Sequence, residues 1–164
     1  MGAPLLWVHD DGGRSDAGYV GHAGDCVTRA ITIATGLPYR QVYDDLHQRQ
    51  RDWMAARRRP PKTRSGRTAS TSPRDGVFRP VYDGYLADLG WVWTPTMSIG
   101  TGCSVHLADG ELPNDRGTLI VRLSKHVCAV VVADDVARTL VVHDTHDPGR
   151  DGTRCVYGYW AAAS

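Results

Sequence analysis

Residues 124–145 read SKHVCAVVVADDVARTLVVHDT, two apolar β-branched runs around a polar centre. Val127 to Val132 and Thr139 to Val142 have strand composition, and Ala133-Asp134-Asp135 carries the turn formers of a hairpin. A hairpin symmetric about residue 135 sets His126, before the first strand, opposite Asp144, after the second. Opposed Cβ atoms lie within about 5.5 Å, near enough for a carboxylate to orient an imidazole. A slip of one residue would send the two side chains to opposite faces of the sheet.

Working outward, Trp91-Val-Trp93, Leu119 to Leu123 and Cys155 to Tyr159 are further short strand-like runs separated by turn residues. The N-terminal half has a different period. Val27, Ala30, Ile31 and Ala34 recur at helical spacing after a capping Asp25 and before a terminating Gly36, which puts Cys26 in the first turn of a helix. A second helix opens with Pro38 in its first turn and lays Tyr39, Val42, Tyr43 and Leu46 on one stripe toward Trp53. A third carries Val81, Tyr82, Tyr85, Leu86 and Leu89 and stops at Gly90. Helices followed by strands predict an α+β fold, N-terminal helices packed on a C-terminal antiparallel β-sheet.

The 164 residues, 41% hydrophobic and 23% charged, suit one compact domain over 1–164 and exclude a disordered chain. No apolar run approaches the roughly 20 residues of a membrane span, and Gly2 to Val8 is too short and lacks the basic start of a secretion signal. The expected setting is the cytoplasm, with no membrane partner. Cys26, Cys103, Cys128 and Cys155 form no C-x-x-C pair, so all four are expected as thiols and no structural zinc is indicated.

Charge is unevenly spread. Seven of the 19 cations (Arg57, Arg58, Arg59, Lys62, Arg64, Arg67, Arg74) fall between Arg57 and Arg74 with no acid among them, leaving 12 cations against 18 acids elsewhere. The stretch RRRPPKTRSGRTASTSPRDG (57–76) has no apolar period, so residues 56–76 are expected to form a flexible basic loop. Its cations suit nucleic acid or an acidic partner.

A thiol at a helix start meets unpaired backbone N–H groups and the positive end of the helix dipole, which favour thiolate and suit an oxyanion. Cys26 is therefore the candidate nucleophile, His126 its base and Asp144 the group that orients the base. The bland readings are a buried structural cysteine, a strand-edge histidine and a turn-forming aspartate.

In Gly24-Asp25-Cys26-Val27-Thr28-Arg29-Ala30, Lys125-His126-Val127 and His143-Asp144-Thr145 the chain resembles the papain-like cysteine peptidase superfamily. It also resembles small bacterial and phage proteins with D-C-x-x-R-A near the N-terminus and H-D-T near the C-terminus. The resemblance implies a papain-like fold, with the nucleophile opening a helix and His and Asp on adjacent strands. It also implies a cysteine hydrolase, a protease or isopeptidase that cleaves an amide in a peptide or protein substrate through a thioester. An amine acceptor would make the protein an acyltransferase or transglutaminase-like enzyme, and loss of chemistry a binding or inhibitor protein on the same fold. Where papain has a glutamine six residues before its nucleophile this chain has Val20, so Cys26's own backbone and His22 are the candidate oxyanion donors.

Trp91 and Trp93 share a strand face and precede the glycine-rich turn containing Gly100 and Gly102. Core packing is the default for the rings, and a substrate groove formed by these four residues is the sharper expectation. His143, Asp144, His146 and Asp147 match no standard metal spacing, so neither a metal nor a cofactor is expected.

Overall fold

A computed structural model describes residues 2–21 and 23–164. It is α+β: strands β1 (Leu6–His9), β2 (Trp91–Pro95), β3 (Leu119–Leu123), β4 (His126–Val132), β5 (Leu140–Asp144) and β6 (Gly158–Ala162), with helices α1 (Cys26–Thr35), α2 (Tyr39–Ala55) and α3 (Arg79–Asp88). The strands form one sheet in the order β1-β5-β4-β3-β6-β2. No helix among the described residues is long and apolar enough to cross a membrane.

The sheet is mixed, which corrects the antiparallel expectation. β1 runs parallel to β5, with Val8 beside His143 and His9 beside Asp144. More than a hundred residues separate the two strands, so no hairpin imposes antiparallel pairing. β1 carried little sequence signal because it is four residues long and its side chains are exposed. β6 begins three residues later than the expected Cys155 start. The segment before it is held elsewhere, Val156 N–H donating to Val105 and Tyr157 N–H to Arg122.

Two cores sandwich the sheet. On one face Val27, Ile31, Val42, Leu46 and Leu86 from the three helices pack against Ile120, Val127 and Trp160. On the other, Leu5, Leu107, Leu112 and Val156 cover Val121, Val130 and Val142. Leu46 and Leu107 are fully buried, so truncating either to alanine should cost about 2–5 kcal/mol. α1 stops at Gly36, whose φ of 74° is left-handed and whose N–H closes the last turn onto Thr32. Pro38 immediately precedes α2 instead of lying within it. Leu89, expected on the buried stripe of α3, follows the helix and is exposed.

The basic stretch divides in two. Its tip carries a bridge between Lys62 and Thr68, while its C-terminal part is tied to the body. Pro73 is buried in a short 3₁₀ turn, Pro73–Asp75, and the wholly buried Gln50 side chain donates to the carbonyls of Thr71 and Gly76. Gln50 also accepts from Phe78 N–H, and Gly24 N–H donates to the Arg74 carbonyl. Backbone hydrogen bonding and one buried proline anchor this part, features that a hydrophobic periodicity cannot register.

Two cysteine expectations change. Cys103 and Cys155 form a disulfide with Cα atoms 5.9 Å apart, leaving Cys26 and Cys128 as thiols. Fifty-two residues separate the pair, and a bridge between His106 and Cys155 brings them together in a way that spacing alone does not reveal. Disulfides persist in oxidising surroundings, so this bond does not fit the expected cytoplasmic setting.

Candidate active site

The N-terminus of α1 abuts the end of the sheet where β4 begins and β5 finishes. Asp25, the expected cap, makes no side-chain cap bond. Its carboxylate is buried: one oxygen pairs with Arg29, four residues on in α1, and the other accepts from Tyr39 Oη at 2.5 Å. Arg14 Nε approaches it at 3.4 Å. The charge that would have capped the helix is used to fix an arginine beneath it.

The β4–β5 register differs from the expected one by two residues. Val130 pairs with Val142 and Ala129 with His143, which centres the hairpin on residue 136. The turn sets this centre: Asp134 accepts from the N–H groups of Val136 and Ala137, Arg138 takes a left-handed φ of 52°, and Ala133 N–H closes onto Thr139. Continued, the register puts Cys128 opposite Asp144 and His126 on the diagonal. An even displacement keeps every side chain on its face. The contact therefore survives, with His126 Nε2 2.6 Å from Asp144 Oδ2.

Asp144 is held from three further directions. Its Oδ1 accepts from Thr145 N–H at 2.7 Å and from Arg29 Nη2 at 3.3 Å. Its carbonyl accepts from the Trp7 indole at 3.1 Å and from Asp10 N–H at 3.0 Å, so β1 pins the backbone. With Nε2 committed to the carboxylate, the other ring nitrogen of His126 is left to hydrogen bond the Cys26 thiol.

The electrostatics follow from these contacts. Burial pushes the Cys26 thiol up, but the hydrogen bond and charge of His126, the Val127 N–H and the Arg29 charge outweigh it and leave the thiol below its ordinary value. For His126 burial acts downward and is overcome by Asp144 and Cys26, which raise it to about 9. Asp144 feels burial upward, yet His126, Thr145 N–H and Arg29 hold its carboxyl below the usual range. The arrangement favours a thiolate beside an imidazolium. Cys128, sealed in the core, is driven well up by burial and is no nucleophile.

Open clefts flank the Cys26 sulfur on both sides. One, of about 480 Å³, is lined by Asp11, Arg14, Lys125, Thr145 and His146; the other, of about 410 Å³, by Phe78, Arg79, Tyr82, Arg122 and Lys125. A larger hollow of about 740 Å³ near Thr32, Arg40 and His143 does not include Cys26.

Compared with known proteins, the chain matches no protein-family model, no curated sequence and no solved structure.

Of the expected site residues, Cys26, His126 and Asp144 converge. His22 lies outside the described residues. Trp91 and Trp93 pack against the helix-side core, Trp93 with its ring 4.4 Å from that of Trp160, and neither lines a cleft at Cys26. Gly100 and Gly102 sit in an exposed left-handed turn away from both clefts. The expected groove is thus replaced by core packing and a surface turn. The histidine-rich stretch separates as well: His143 bonds Asp10, Asp147 accepts from Gly149 N–H, and His146 lies on the cleft rim with its ring 5.0 Å from that of His126. Among the described residues His126, Asp144 and His146 bring ligand atoms within 4.8 Å of one another and are the group able to hold a metal ion.

The sequence pointed to no part in the site's geometry for Arg29, Tyr39 or Trp7. The four-residue spacing of Asp25 and Arg29 carried a signal for the first, since such a pair shares one helix face. Tyr39 and Trp7 reach the site only through tertiary packing.

Proposed function

We propose that this protein is a cysteine hydrolase that cleaves an amide in a peptide or protein, a protease or isopeptidase, with Cys26 as nucleophile. What carries the reading is the convergence of Cys26, His126 and Asp144 between two open clefts. His126 takes the Cys26 proton, and Asp144 fixes the ring by accepting from Nε2–H. The thiolate attacks the carbonyl carbon, and the resulting oxyanion lies at the N-terminus of α1 near the Cys26 N–H. His126 then gives its proton to the departing nitrogen, the C–N bond breaks, and a thioester remains on Cys26. Water, losing a proton to His126, attacks the thioester; the C–S bond breaks, a carboxylic acid leaves and the thiol is restored. Cys26 acts only as a free thiol, which it is, whereas the Cys103–Cys155 bond persists where the surroundings are oxidising.

Active-site alkylation tests the reading. Iodoacetamide at neutral pH should modify Cys26 much faster than Cys128, and His126→Ala should slow it; equal, slow modification of both would overturn the proposal. Incorporation of an added amine into acyl substrates in place of hydrolysis would reassign the enzyme to acyl transfer.

A further inference from the structure

The two flanks of Cys26 differ in charge. The flank beside Asp11 mixes acids and bases. The other is lined by the cations Arg79, Arg122 and Lys125, and Asp75 is the one acid among its described lining residues.

Arg122 is the least expected of these. It interrupts β3, where Leu119, Ile120, Val121 and Leu123 are all buried, and is itself half-buried. Among the described residues it has no carboxylate partner: its contacts are the Tyr82 hydroxyl and the Tyr157 ring, 5.5 Å from its guanidinium carbon. A half-buried cation that faces a cleft with no counter-charge beside it is placed to pair with an anion entering that cleft. Arg79 is laid against the rings of Trp93 and Trp160 at 4.4 and 5.5 Å, and its carboxylate, Asp83, is itself well exposed at 41%, so the pairing is weakly neutralising.

Lys125 adds an independent observation. It is the second residue of the two-residue connection between β3 and β4, next to His126, and its φ is 56°. Glycine or asparagine would take that left-handed conformation with less strain. A lysine held there, exposed and without an ion-pair partner among the described residues, stands on the lip shared by both clefts. Phe78 and Tyr82 line the same wall and make it partly aromatic.

We propose that Arg79, Arg122 and Lys125 form a carboxylate subsite that selects peptides bearing a glutamate or aspartate close to the bond attacked by Cys26; the proposal rests on the cysteine hydrolase reading above. The anchored end of the basic stretch, Asp75 and Gly76, forms part of this wall. Its exposed cations extend the same field outward and attract acidic chains over longer range.

The test uses electrophilic peptides that carry an α,β-unsaturated ester, whose β carbon adds the thiolate, and that are identical except for Glu or Gln at each of the two positions on either side of it. Modification of Cys26 is followed by mass spectrometry. At one position at least, the Glu peptide should react about tenfold faster than its Gln twin. That ratio should fall to about twofold in Arg122→Gln, fall partway in the surface variant Lys125→Gln, and shrink in about 0.5 M salt. Equal rates for every Glu and Gln pair in the native protein would overturn the subsite, as would an unchanged ratio in both variants. Iodoacetamide separates the two claims. Rapid modification of Cys26 without Glu preference removes the subsite alone, whereas slow modification matching Cys128 removes the hydrolase reading even where a Glu preference persists.

Discussion

Adjacent residues on β5 enter two different histidine–aspartate pairs. Asp144 meets His126 at 2.6 Å, while His143 turns to the other face and meets Asp10 at 2.9 Å. The bond lengths hardly distinguish them. What differs is the surroundings: Asp144 is 3% exposed and backed by the buried Arg29, whereas Asp10 is about a third exposed and its partner His143 a quarter. Only the first pair has a thiol at its free ring nitrogen. A His–Asp contact is thus an orienting device in either place, and becomes a candidate catalytic element only where water is excluded and a nucleophile adjoins it.

Breaking the buried pair should have the largest effect. His126→Ala is expected to slow alkylation of Cys26 at neutral pH about a hundredfold, because the thiol keeps its burial and loses the neighbouring cation; a stopped-flow rate within threefold of the native protein would remove the contrast between the two sites. Arg29→Met leaves the carboxylates of Asp25 and Asp144 buried without their shared cation, and should lower unfolding stability by about 3–5 kcal/mol in urea titration. The exposed pair has no such support to lose.

The pH profile sharpens the comparison. The ion pair forms as pH rises through the depressed thiol value and is lost as His126 gives up its proton near 9. Under the proposed mechanism, amide turnover needs that proton for the leaving nitrogen and should therefore decline above about pH 9. Asp144→Asn should bring this limb down toward the ordinary histidine value of 6.5, measured as kcat/KM against pH. The smallest effect belongs to the second pair: His143→Ala and Asp10→Asn should change alkylation less than about twofold and stability by no more than about 0.5 kcal/mol.

Much of this site was legible as periodicity. Val27, Ala30 and Ile31 with Gly36 located α1, and so placed Cys26 at its first residue. The strand runs brought His126 and Asp144 onto one face, and this reading tolerated the two-residue displacement because the pleat repeats every two. The displacement itself arose in the turn, where the Asp134 side chain and the left-handed Arg138 add length that composition does not disclose. β1 was hidden by its exposure, and the Cys103–Cys155 bond by its dependence on the bridge at His106. Arg122 was legible only as a charge in an apolar strand; its exposure to a cleft, and the lack of a carboxylate partner among the described residues, are properties of the folded surface.

A single absent methyl group bears on the end of the molecule that holds Cys26. Gly158 lies directly beneath Trp93, and a Cβ there would overlap the indole ring. Any side chain at 158 must lever that ring upward, and the ring is the seat on which Arg79 rests. An alanine placed on β6, with Cys26 and His126 untouched, would tilt the guanidinium out of its bed and reshape the wall of the cleft beside Cys26.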